Sequence, residues 1–342
     1  MLALAALLAG ERARGGPSPS ARAPADSLSL EQQVGQLLLL RFAGTTAPPY
    51  VRAAVKNRRV AGVILFRSNI ASPSQLRALT SSLRRQGGRP IVAVDQEGGA
   101  VRMLPWAPPL ASQPEQAAAG TAGLSARQAG VALRAAGITV SLAPVSDVPS
   151  VPGAALAGRS FSRDPRRASR ATAAAVVGWR KGGVASAAKH FPGLGAAGVN
   201  TDDARVTIRR SSAELKATDL LPFRAAIGAG VPLVMVGHAR YPALDRARIA
   251  SQSRRVVQDL LRDELGFRGV VVTDSMEAEA SLATGGITTV SERAVRAGAD
   301  LVLLTGQGSL GEAANTAGVR REILSIAQLC SRISASSGPV AT

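Results

Sequence analysis

Val184-Ala185-Ser186-Ala187-Ala188-Lys189-His190 sets five small or apolar residues directly before a lysine and a histidine. Five residues are too few for a stable helix and suit a strand buried on both faces, as in parallel sheets. The two polar residues then stand where that strand ends. Outward from this stretch the same pattern recurs. Short apolar runs occupy residues 37–42, 60–66, 90–94 and 138–143 on one side, and 232–236, 270–273 and 300–304 on the other. Stretches with helical spacing, such as 73–85 and 211–227, lie between them. Ahead of the first run, Ser29 and Gln32 form a capping-box pattern that starts a helix containing Val34 and Leu37.

Strands alternating with helices give an α/β fold, and two architectures are open: a doubly wound sheet or a (β/α)8 TIM barrel. The polar residues at or just beyond the runs favour the barrel as a single domain. They are Arg41, Arg67, Asp95, Asp147, Lys189 with His190, His238, Asp274 and Thr305. In a closed barrel these ends gather at one mouth, where such enzymes build their sites. Residues 26–342 are assigned to this barrel, and residues 1–25 to a leader with a short apolar run (2–9) followed by an Arg/Gly/Pro/Ser segment. The leader suggests a secreted or cell-envelope-associated protein, with a cytoplasmic one as the alternative. A glycine-rich turn at 305–311 is a candidate phosphate grip, but glycines after a strand are more often a plain turn.

Composition narrows the function. The net charge is +18, and only Lys56, Lys181, Lys189 and Lys216 among the 41 basic residues are lysine. Such a charge favours anionic neighbours, including peripheral contact with an anionic cell envelope. Nucleic acid is not the expected partner, because the basic residues are scattered and aromatics make up 3% of the chain. One cysteine, Cys330, excludes a disulfide framework and a cysteine-based metal site, and reads as an inert buried thiol. Neither composition nor motifs call for a metal or organic cofactor, and a monomer is expected.

Several segments together resemble glycoside hydrolase family 3, in particular its single-barrel β-N-acetylglucosaminidases. Ala93-Val94-Asp95-Gln96-Glu97-Gly98-Gly99 is similar to the family's third-strand motif and Leu142-Ala143-Pro144-Val145-Ser146-Asp147-Val148 to its fourth. Gly158-Arg159-Ser160-Phe161-Ser162-Arg163-Asp164-Pro165 resembles the sugar-binding loop that follows. Lys189-His190-Phe191-Pro192-Gly193, Gly237-His238-Ala239-Arg240-Tyr241-Pro242 and Val272-Thr273-Asp274-Ser275-Met276 resemble the ends of strands five, six and seven. The resemblance runs from about residue 29 to 305. It implies a retaining β-glycosidase with Asp274 as nucleophile and a carbohydrate substrate containing N-acetylglucosamine, derived from cell-wall material and its recycling. Asp95, Arg159, Lys189 and His190 would hold sugar hydroxyls and the acetamido group.

A retaining glycosidase needs an ionised carboxylate below the anomeric carbon and a proton donor at the leaving oxygen. In the acetylglucosaminidases the donor is a histidine in the loop after Lys-His-Phe-Pro-Gly. The matching positions here read Asn200, Thr201 and Asp202, and the chain's two histidines, His190 and His238, lie elsewhere. Leu194 and Met103 likewise replace a histidine and a sugar-contacting arginine of that family, with Arg102 one position before Met103. Asp202 is therefore the candidate proton donor, Asn200 its orienting neighbour and Asp203 the fallback. A plain polar turn at 200–203 is the bland alternative. The rival functions are a glycan-binding barrel without catalysis and a phosphate-gripping metabolic barrel.

Overall fold

The computed structural model describes residues 28–306 apart from Gly88. Cys330, the leader 1–25 and the glycine-rich turn beyond Gly306 lie outside these residues. Eight parallel strands close into a barrel: β1 (Leu38–Leu40), β2 (Gly62–Ile64), β3 (Ile91–Val94), β4 (Val140–Ser141), β5 (Ala185–Phe191), β6 (Leu233–Val236), β7 (Val270–Ser275) and β8 (Leu301–Leu304). Each pairs with its neighbours in sequence, and β8 pairs back onto β1 with Leu39 opposite Leu303. A closed ring has no exposed edge, so the doubly wound alternative is excluded. A small antiparallel hairpin, Gln96–Gly98 with Val101–Arg102, extends from the end of β3.

Alternation along the strands divides the apolar residues into two layers. Leu39, Ile64, Ala93, Leu142, Ala187, Met235, Val272 and Leu303 fill the barrel interior. Their neighbours Leu38, Leu40, Val63, Val92, Val94, Ala188, Val234, Val236 and Val271 pack outward against the helices. Side chains on a strand repeat every second residue, so parity predicts what each strand end presents. Asp95 follows Ala93 inward, Lys189 follows Ala187, Asp274 follows Val272 and Thr305 follows Leu303. His238 follows the outward Val234 and Val236.

The helical layer starts and stops where the sequence has the chemistry for it. The Ser29–Gln32 capping box forms in both directions, at 3.3 Å and 3.0 Å. Ser72 caps Pro73–Arg84, accepting from Gln75 N at 3.1 Å, and that helix buries Leu76, Leu79 and Leu83. Asp164, in the loop quoted above, caps Pro165–Gly182 by accepting from Arg167 N at 2.8 Å. Its far end stops at Gly183, whose φ of 79° suits glycine. The long connection after β5 runs from Pro192 to Ser211 before the next helical segment and carries Asn200 to Asp203.

Two sequence expectations change at this level. The fifth run extends as β5 through Lys189, His190 and Phe191, with a register shift against β6 between Ala188 and Phe191. Further, not every strand-end polar group faces the mouth cavity. Arg67 is exposed in a short helical turn. Arg41 lies over the Phe66 ring at 4.9 Å and donates to Thr305 O. His238 packs outside the barrel interior, as its parity requires.

Candidate active site

At the C-terminal ends of the strands lies a cavity of about 180 Å³ lined by Asp95, Arg159, Lys189, His190, Asn200, Asp202 and Asp274. Met103, Leu142 and Met235 form its apolar part. All six residues singled out in the sequence as catalytic or substrate-binding meet here. Two polar clusters and one loop make up the walls.

The first cluster is a buried network around Lys189. Its Nζ lies 2.5 Å from Asp95 Oδ1 and 2.6 Å from Glu97 Oε1. Arg159 grips Glu97 with both forks, Nε to Oε2 at 2.9 Å and Nη2 to Oε1 at 2.7 Å. Burial alone would raise the Glu97 pKa, but the charges and hydrogen bonds of Lys189 and Arg159 override it and hold it at about 2. Burial would likewise lower the Lys189 pKa, and Asp95 with Glu97 raises it instead. Two carboxylates thus balance two cations, the arrangement that lets buried charges persist. Lys189 is both a structural ion-pair partner and part of the cavity wall.

The second cluster fixes His190. Asp147, fully buried, accepts from His190 Nδ1 at 2.8 Å and from the backbone N–H groups of His190 and Leu194. A carboxylate only accepts, so Nδ1 carries a proton. Nε2 is left facing Asp274 Oδ2 at 3.9 Å. Asp274 also accepts from Ser275 N at 2.9 Å. Burial pushes the Asp274 pKa up, but the influence of His190, the Ser275 hydrogen bond and the charge of Lys189 outweigh it, and the net shift is down.

His238 holds the backbone beyond Asp274 from behind. Its Nε2 donates to Ser275 O at 2.7 Å, because a carbonyl can only accept. Nδ1 is then free to accept from Ser251 Oγ at 2.8 Å. Burial lowers its pKa, consistent with a neutral ring. Both ring nitrogens are occupied, so His238 has no proton to exchange with a ligand in the mouth.

The loop after β5 supplies the remaining wall. Asn200 Nδ2 donates to Asp202 Oδ2 at 2.8 Å. Asp202 stands at the solvent edge, yet the protein around its carboxyl and then the negative charge of Asp274 push its pKa up to about 6, against the opposing effects of His190 and Asn200. The loop is anchored to the segment after β7, with Glu279 N donating to Asp202 O at 3.2 Å and Ala280 N to Thr201 O at 3.1 Å. Asp274 and Asp202 are therefore held by one continuous piece of chain, from β7 into the helix Glu279–Leu282. Asp203 is exposed and does not line the cavity.

One carboxyl held low and one pushed high in the same mouth is an arrangement that acid–base hydrolysis of a glycoside could use. Residues 29–326 match the family described as Glycosyl hydrolase family 3 N terminal domain. The chain belongs to glycosyl hydrolase family 3. Among similar proteins is a beta-hexosaminidase of Stenotrophomonas maltophilia, 38% identical over 283 residues that cover 78% of this chain and 83% of that protein. An uncharacterized secreted glycosyl hydrolase of Arthroderma benhamiae is 35% identical over 309 residues, covering 85% and 86%. Of solved structures, the beta-N-acetylhexosaminidase of Beutenbergia cavernae superposes with a TM-score of 0.75 at 33% identity, covering 91% of this chain and 99% of that one. The family 3 beta-N-acetylglucosaminidase of a Paenibacillus strain gives a TM-score of 0.79 at 32% identity, covering 92% of this chain but 65% of the other, so that enzyme extends well beyond the matched part.

Two residues of this family 3 site escaped the sequence reading. Glu97 lies inside the quoted third-strand motif, and its spacing of two from Asp95 was the signal that both carboxylates stay on one side. Asp147 was noted as a strand-end residue without a role. An acid that follows an apolar strand into a buried position needs donors, and the adjacent strand end offered His190. Arg102 is not a cavity residue, because it turns back onto its own hairpin, donating to Gly99 O and Pro105 O. Met103 occupies the cavity wall instead. No described helix is long and apolar enough to cross a membrane.

Proposed function

We propose that this barrel is a retaining β-N-acetylhexosaminidase acting on N-acetylglucosamine-containing glycans derived from cell walls, with Asp274 as nucleophile and Asp202 as proton donor. The observation that supports this most directly is that both carboxyls line one cavity with pKa values moved in opposite directions. In the first step Asp274 attacks the anomeric carbon, the bond to the leaving oxygen breaks, and Asp202 gives that oxygen its proton. In the second, ionised Asp202 takes a proton from water, the resulting hydroxide displaces Asp274 from the anomeric carbon, and both carboxyls return to their starting states. His190, oriented by Asp147, faces the nucleophile and offers Nε2 to a sugar hydroxyl. Asp95, Lys189 and Arg159 hold further hydroxyls and the acetamido group. The similarity to a beta-hexosaminidase at 38% identity supports the substrate class.

Two features favour a second reading, a glycan-binding barrel without turnover: the loop that carries Asp202 holds no histidine, and Asp202 retains contact with solvent. A fluorinated N-acetylglucosaminide trap read by intact-protein mass separates the two. The enzymatic reading predicts one covalent glycosyl adduct, mapped to Asp274 and lost in Asp274→Asn. Saturable glycan binding with no adduct and no turnover establishes the binding barrel, and an adduct on Asp95 or Asp147 removes Asp274 from its role.

A further inference from the structure

On the other side of the loop that carries Asp202 lies a second and larger cavity, about 470 Å³. Arg205, Arg209, Arg240 and Arg246 line it, together with Thr207 and the back of His238. Arg205, Arg209 and Arg246 are exposed and Arg240 is half-buried. Several other arginines of the barrel meet carboxylates, among them Arg159 with Glu97, Arg210 with Asp219 and Arg262 with Asp300. The four guanidiniums of this cavity have no ion-pair partner among the described residues. The hydrogen bond found for any of them is Arg240 Nη1 donating to the backbone oxygen of Arg246, at 3.3 Å. Arg209 and Arg210 show the division within two residues, since Arg210 turns inward to Asp219 and Arg209 turns into the cavity.

Four like charges around one concavity repel each other, and a concave wall of protein concentrates their field. Guanidinium forks match the oxygens of carboxylates and phosphates, which would replace water on donors that no protein carboxylate engages. We propose that this cavity is a binding site for a small polyanion bearing phosphate or carboxylate groups. The site is built into the fold. Arg240 sits in a bridge to the Asp202 loop, with Ile208 N donating to Arg240 O and Arg240 N to Val206 O, both at 2.9 Å. Arg205 lies three residues beyond Asp202. A bound anion therefore ties the outer face of the loop to the β6 end, while the inner face presents Asn200 and Asp202 to the catalytic cavity. The anion is either a free small molecule or the charged aglycone of a glycan that reaches across the loop.

Calorimetric titration of the full chain with pyrophosphate and with citrate at low ionic strength tests this, and needs no turnover. Saturable one-to-one binding is expected, weakened about tenfold or more in the Arg209→Ala/Arg246→Ala variant through loss of two charge-assisted contacts. An Arg77→Ala/Arg127→Ala variant removes the same charge from exposed positions on outer helices and should bind as the parent does. Heats that never saturate, or equal weakening in both variants, would mean diffuse attraction to a chain of net charge +18 and would overturn the site. The source of the anion follows from titrating methyl N-acetylglucosaminide and an N-acetylglucosaminide with a carboxylate-bearing aglycone, each with and without saturating pyrophosphate. Selective weakening of the charged glycoside assigns the cavity to the aglycone, and unchanged affinity for both assigns it to a free anion.

Discussion

At the scale of single residues, the proposed mechanism depends on a difference between two aspartates. Asp274 is held ionised by His190, Ser275 and Lys189, whereas Asp202 is pushed to about 6 by its surroundings and by Asp274 itself. If Asp202 is the donor, kcat/KM on a natural disaccharide falls as pH rises through about 6, because the donor is then ionised, and falls again in acid as Asp274 becomes protonated. Asp202→Ala should slow natural substrates by about 10² to 10⁴, remove the alkaline limb, spare the first step for nitrophenyl glycosides and respond to azide. Parent-like hydrolysis of the disaccharide by this variant would remove Asp202 from the mechanism. Asp274→Asn should lose turnover and covalent trapping with an unchanged melting temperature, since an amide cannot form the glycosyl ester. Asp274 was legible as a mouth residue because it ends an apolar strand inside one of the segments that resemble family 3. Glu97 and Asp147 were not read as site residues, because their partners Lys189, Arg159 and His190 are 43 to 92 positions away.

At the scale of elements, the helix Ala122–Ala135 and the helix Pro165–Gly182 approach closely because Gly123, Gly130, Gly178 and Gly182 face each other. A Cβ on Gly178 would collide with the backbone oxygen of Gly123 and stand 2.9 Å from Ala126 Cβ. Alanine is the better helix former by about 1 kcal/mol, but overpacking against a backbone atom costs about 1 to 3 kcal/mol. Gly178→Ala should therefore destabilise the barrel in urea unfolding, whereas the same change at Gly158, with open space around its Cβ, should not. A stabilised Gly178→Ala would show that the helices can part without loss. Strand positions were readable from apolar runs of four to seven residues, and β1, β2, β3, β4, β6, β7 and β8 fall within or overlap them. The extension of β5 to Phe191 was not, because Lys189 and His190 look like a loop until their buried partners are known.

At the scale of the molecule, buried charge makes stability depend on pH. Glu97 is held at about 2 in the folded barrel against an ordinary value of 4.5. Its stabilising contribution is complete above about pH 4.5 and is lost as pH falls through the folded value, a change on the order of 3 kcal/mol. Asp219 acts in the opposite sense. Burial raises it to about 7 in spite of Arg210, so the folded state binds the extra proton and stability declines as pH rises from the ordinary aspartate value of 3.8 toward 7. Melting temperature should therefore rise from pH 2 to about 4.5 and then level or fall. Glu97→Gln should flatten the acid limb and lower stability at neutral pH, where Lys189 and Arg159 lose their shared carboxylate. An acid limb unchanged in Glu97→Gln would place the pH sensitivity elsewhere.

The order of apolar runs, the residues at their ends and the motifs of a family 3 barrel were set by the sequence, because burial on both faces of a strand leaves a local, two-residue periodicity that needs no knowledge of neighbours. Closure of β8 onto β1 was decided in three dimensions. So was the sharing of Glu97 between Lys189 and Arg159, and the confrontation of Asp202 with Asp274 across one cavity. Which arginines meet carboxylates and which gather around the second cavity also depended on tertiary contacts. Each of these follows from distances between residues far apart in the chain, and the fields and desolvation that shift their pKa values exist only once the barrel has brought them together.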